Sequence, residues 1–155
     1  MIYVRNGASR IAVLSIVLSG STAFAGIGDA MTDKVYTVPG VVHTSSLATV
    51  FHCTNSYPTG YGSVSMHVEV WDSDGQLAGS ATFNLAGGAS GIITTGTISA
   101  LIADANANVA DGTQGSASIA GDKRLLCTAY VTSRNATPEY MNSLPVIVKN
   151  KQRGD

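Results

Sequence analysis

Strict alternation of apolar and polar side chains is the feature that most limits what this chain can become. Val64, Met66, Val68 and Val70 are interleaved with Ser65, His67, Glu69 and Trp71, and a period of two puts each set on its own face of a β-strand. Asp72-Ser73-Asp74-Gly75 follows, and a second alternating run passes through Leu77, Ala81, Phe83 and Leu85. Turn formers and a glycine free to take positive φ, set between two such runs, predict a β-hairpin. Ala86-Gly87-Gly88 ends that strand, and Ile92-Ile93-Thr94-Thr95 supplies another short one.

The same pattern predicts strands over 47–53 and 125–131, and further strands at 34–38, 116–120 and 144–148. Cys53 shares a face with Leu47 and Phe51, and Cys127 shares one with Leu125, Ala129 and Val131. Both cysteines therefore take the inward side of their strands, where a disulfide can cross the core. One segment departs from period two: Ile98, Leu101, Ile102, Ala105 and Val109 recur at helical spacing behind Ser99 as a cap, which predicts one short helical turn near 99–110. Seven or so short strands, mostly antiparallel, read as a single β-sandwich, and two cysteines flanking a tryptophan suggest an immunoglobulin-like topology. Trp71, however, has outward parity, and Leu125 stands where that fold keeps a tyrosine two residues before its second cysteine.

The opening residues explain why those cysteines should be oxidised. Arg5 and Arg10 precede an apolar run over 11–18, and small residues end in Ala23-Phe24-Ala25, the layout of a bacterial-type cleavable signal peptide. The apolar run is far shorter than the roughly 20 residues a membrane span needs. The expected organisation is a signal peptide over 1–25, a β-sandwich domain over 26–148 and a flexible basic tail over 149–155. The mature protein is then secreted or periplasmic, with no membrane span, and Cys53 and Cys127 form a disulfide. Its net charge is −3, which argues against a nucleic-acid partner, since such partners select clustered positive charge.

No enzyme chemistry assembles from the motifs. There is no G-x-S-x-G elbow and no phosphate-cradling glycine pattern, and the acids Asp72, Asp74, Asp104, Asp111, Asp122 and Glu139 fall mostly in turns and loops. Asp72-Ser73-Asp74-Gly75 begins like a calcium loop, but Leu77 and Gly79 stand where further oxygen ligands belong. His52 and His67 would lie diagonally on one outer face if the 47–53 and 64–70 strands paired, close enough to share a copper or zinc ion, with His43 as a third ligand. That metal-binding protein is the alternative reading; otherwise no cofactor is expected.

The loop Asn55-Ser56-Tyr57-Pro58-Thr59-Gly60-Tyr61-Gly62 sets two tyrosines among turn formers. With an outward Trp71, Tyr57 and Tyr61 form a candidate binding patch for a protein or glycan partner. The expected function is a non-enzymatic binding module, or a component of an extracellular assembly.

Overall fold

A computed structural model describes residues 34–135, 137 and 140–149. The expected signal peptide and all of the tail beyond Lys149 lie outside the described residues, and Lys149 itself belongs to the last strand. Ten strands follow in order: β1 (Lys34–His43), β2 (Leu47–Asn55), β3 (Val64–Asp72), β4 (Leu77–Leu85), β5 (Ser90–Thr94), β6 (Ala105–Asn106), β7 (Thr113–Gly121), β8 (Leu125–Ser133), β9 (Met141–Leu144) and β10 (Ile147–Lys149).

The predicted hairpin is β3 and β4, paired from Val64↔Leu85 to Trp71↔Leu77, with Ala78 as an extra residue that shifts the register beside Trp71. Its turn is held locally. The Asp72 carboxylate accepts the amides of Asp74 and Gln76 at 3.0 and 2.8 Å, and Gly75 takes φ 76°.

Hydrogen bonding makes one sheet with the path β4-β3-β7-β1-β2-β5-β6; β10 adds beside β1, and β8 followed by β9 adds beside β2. Every pairing is antiparallel except β5 with β6. β1 is the element that joins the two arcs of this near-barrel. It pairs with β7 along its length, bends at Pro39 and Gly40 (φ 79°), and at His43 reaches Ala48 of β2. Glycine is required at that bend because a side chain at such positive φ is strained. Its first residues also pair with β10, so that Val35 lies opposite Lys149.

The arcs face each other across one core. Val38, Met66, Val68, Val70 and Ile119 meet Phe51, Ile93, Leu125 and Ala129, and the Tyr36 hydroxyl donates to the Leu125 carbonyl from the opposite arc. Truncating the fully buried Phe51 to alanine would remove about 3–5 kcal/mol.

Three expectations change. The Cys53–Cys127 disulfide forms, but it joins residues directly opposite on the neighbouring strands β2 and β8, with Cα atoms 4.1 Å apart. Inward parity shows which side a cysteine faces, not which strand lies next to it. The immunoglobulin arrangement instead carries its disulfide between two sheets. Linking positions 74 apart still shrinks the unfolded ensemble, stabilising the fold by about 4–5 kcal/mol in the chain-entropy account.

The helical turn near 99–110 is absent, and no helix occurs among the described residues. Asp104, Ala107 and Val109 donate their amides to carbonyls of Ile92, Thr94 and Thr95, so the segment runs beside β5. Its apolar residues divide between two surfaces, with Ile102 left exposed, which imitates helical spacing. Ile98 and Leu101 cover Ala48, Val50 and Tyr130 on the outside of the sheet, whereas Ala107 and Val109 enter the main core.

Finally, β2 pairs with β5 and β8, not with β3, so the register that would bring His52 beside His67 is not formed.

Candidate functional site

The most concentrated polar chemistry lies where β1 ends. His43 closes β1, Thr95 and Gly96 follow β5, Asp111 comes from the β6–β7 connection, and Arg134 follows β8. The His43 ring is almost fully buried. Its Nδ1 meets Thr95 Oγ1 at 3.2 Å, and its Nε2 meets Asp111 Oδ1 at 3.0 Å. Arg134 Nη1 donates to the same carboxylate oxygen at 3.2 Å and to the Thr44 carbonyl at 2.9 Å, while its Nε donates to the Thr97 carbonyl at 3.0 Å.

Burial pushes the His43 pKa down from 6.5, Arg134 pushes it the same way, and Asp111 opposes both. The neutral ring satisfies every partner in one arrangement. Nε2–H donates to Asp111, the Thr95 hydroxyl donates to Nδ1, and Thr95 Oγ1 accepts the Thr49 amide at 2.9 Å.

Hydroxyl, imidazole and carboxylate in this order can polarise a nucleophile. Thr95, however, has no exposed surface, so no substrate atom can approach its oxygen. Gly96 closes the other side: a Cβ there would lie 1.9 Å from His43 Cε1. The cluster is a bracket that ties four connections to one another. Its members were individually visible in the sequence, His43 as a spare metal ligand and Asp111 as a solvated acid, but no spacing links positions brought together by β1, β5 and β8.

A second set of the same groups stands on the outer face of β3. Thr82 Oγ1 is hydrogen-bonded to His67 Nδ1, and His67 Nε2 lies 3.7 Å from Glu69 Oε1. Trp71 is next on the same face. It is half-buried, yet it is not among the side chains packed on the core. The register surrounds these residues with small ones, since Glu69 lies between Ser80 and Ser118 and Trp71 lies beside Ser116. Glu69 keeps only 13% of its side chain exposed, against 24% for His67. This face lacks the inward-aimed amide donors that acyl transfer needs, because the backbone groups of β3 are spent on β4 and β7.

The proposed aromatic patch is divided. Tyr61 lies near the start of β3, its carbonyl against Gly87 just beyond the Val64↔Leu85 pair, and Trp71 lies seven residues along the strand, about 23 Å from Val64 at roughly 3.3 Å per residue. Tyr57 folds against the core under the Arg124 guanidinium, 4.9 Å from its ring centroid, whereas Tyr61 is exposed. Buried Asn55 organises that loop, donating to the Leu85 carbonyl at 3.0 Å and accepting the Tyr57 amide at 3.0 Å.

His52 sits on the outer face of β2 between Ile92 and Thr128, far in strand order from His67. Among the described residues no three His, Cys, Asp or Glu side chains group as metal ligands, and no helix is long and apolar enough to cross a membrane. No family model matches this chain, and neither a curated protein nor a solved structure matches it.

Proposed function

We propose that this is a non-enzymatic module of sandwich type, with the two arcs as its layers, exported to the periplasm or beyond. It works through its surface, as a binding module or as a component of an extracellular assembly. The observation that carries this reading is the burial of Thr95: among the described residues, the one relay with a deeply buried base has no accessible nucleophile, whereas the unspent side chains are displayed outside. The disulfide adds support, since such bonds persist outside the reducing cytosol.

The C-terminal strands favour the assembly branch. Tyr140, Met141, Ile147 and Val148 are exposed on or beside β9 and β10, each of which has one pairing partner among the described strands. Such edges can accept a strand from another chain.

The test is the native mass of the protein released from its own cells without reductant, together with its N-terminal sequence. A chain beginning at Gly26, held in a larger complex or recovered as a monomer that binds a partner or glycan, supports the proposal. A chain that keeps residues 1–25 and stays in the cytosol overturns export. Turnover of an ester or glycoside that survives purification overturns the non-enzymatic reading.

A further inference from the structure

The outer face of β3 carries a negative charge without a strong cationic partner. Among the described residues, the ion-pair neighbour of Glu69 is His67, and at 3.7 Å that contact is loose. The described arginines are committed elsewhere, Arg124 over Tyr57 and Arg134 on Asp111. Glu69 is mostly covered, so its carboxylate has lost much of its hydration, and a neutral ligand would remove still more without compensating charge. Beside it on the same face, two residues along, is Trp71, and the indole face is the best of the aromatic surfaces for a cation. Ser116 and Ser118 on the adjacent β7 leave this region low, so a partner's backbone can approach.

We infer that this face receives an arginine or lysine side chain of a partner polypeptide, its cationic group stacked on Trp71 and paired with Glu69. The inference rests on the binding-module reading and names the chemistry of the partner. A flat strand face encloses no small molecule, so a free amine gains too little contact there, whereas a side chain carried on a peptide adds backbone contacts along β7.

Trp71 is the single tryptophan of the chain, so its fluorescence reports on this face alone. The probe is a short capped peptide with two arginines, titrated into residues 26–155 at low salt, against the same peptide with citrulline in place of arginine. The arginine peptide should shift Trp71 emission and the citrulline peptide should not. Glu69→Gln should weaken binding about tenfold, and 0.5 M salt should weaken it further. Trp71→Phe, followed by calorimetry, should weaken binding without abolishing it. Equal responses to both peptides, a response to cellohexaose as strong as to the arginine peptide, tighter binding of free spermidine, or no effect of Glu69→Gln would each overturn the assignment. Because the probe is defined, failure here leaves the native-mass test of the wider proposal untouched.

Discussion

Thr95–His43–Asp111 and Thr82–His67–Glu69 set the same three groups in the same order, yet they are different devices. In the first, the hydroxyl and the ring are buried and the carboxylate alone reaches water; Arg134 then clamps that carboxylate to two loops. In the second, the hydroxyl is exposed, the carboxylate is the more covered end, and the set lies on one hairpin. What differs is which member meets solvent, and that decides whether the groups hold the fold together or present a surface. A triad recognised by connectivity alone would have treated them alike.

The comparison can be broken most forcefully at Gly96. Gly96→Ala drives a methyl into the His43 ring and should cost about 3 kcal/mol or more in urea unfolding, since that ring is buried and held at both nitrogens. Gly75→Ala, in the open turn below Trp71, should cost about 1 kcal/mol from its positive φ alone.

Next come the imidazoles. His43→Ala removes the ring that bridges buried Thr95 to Asp111 and opens a cavity beneath Gly96, and should cost about 2–4 kcal/mol; His67→Ala should stay under about 1 kcal/mol. Equal losses would erase the distinction drawn between them.

Acid sharpens the same contrast. Because the folded-state pKa of His43 lies below 6.5, the unfolded chain takes up this proton first on acidification. The His43 contribution is therefore intact above about pH 6.5 and is lost as pH falls toward the folded value. Melting temperatures of His43→Gln should show a shallower decline over that window than those of the parent.

The smallest effect separates the carboxylates. Asp111→Asn should cost about 1 kcal/mol, and Glu69→Gln should leave stability within about 0.5 kcal/mol. A large loss for Glu69→Gln would make the outer face structural.

Period-two patterning was sufficient for β3, β4 and β8 because each buries one face and shows the other. It understated β1, since Pro39-Gly40 looks like a strand end and is instead the bend that carries the strand on to His43. It misread 99–110, where Leu101 joins an outer cover, Ala107 and Val109 enter the core and Ile102 is exposed. Trp71's outward parity was legible; its separation from Tyr57 and Tyr61 was not, because parity gives a face and not a distance along the strand. The bracket around His43 was illegible for a different reason: it is assembled by β1, β5 and β8 from positions far apart in the chain, and no local pattern encodes that meeting.

Pairing of Val35 with Lys149 brings the two ends of the fold out side by side. Were this domain tethered at both ends, tension would load the short β10 seam one residue pair at a time, so that it opens as a zip does and yields at low force. Extension would then stop at Cys53 and Cys127, since the chain between them cannot lengthen while their bond holds. The protein would behave as a spring with soft ends and an inextensible middle, and reductant would be what lengthens it.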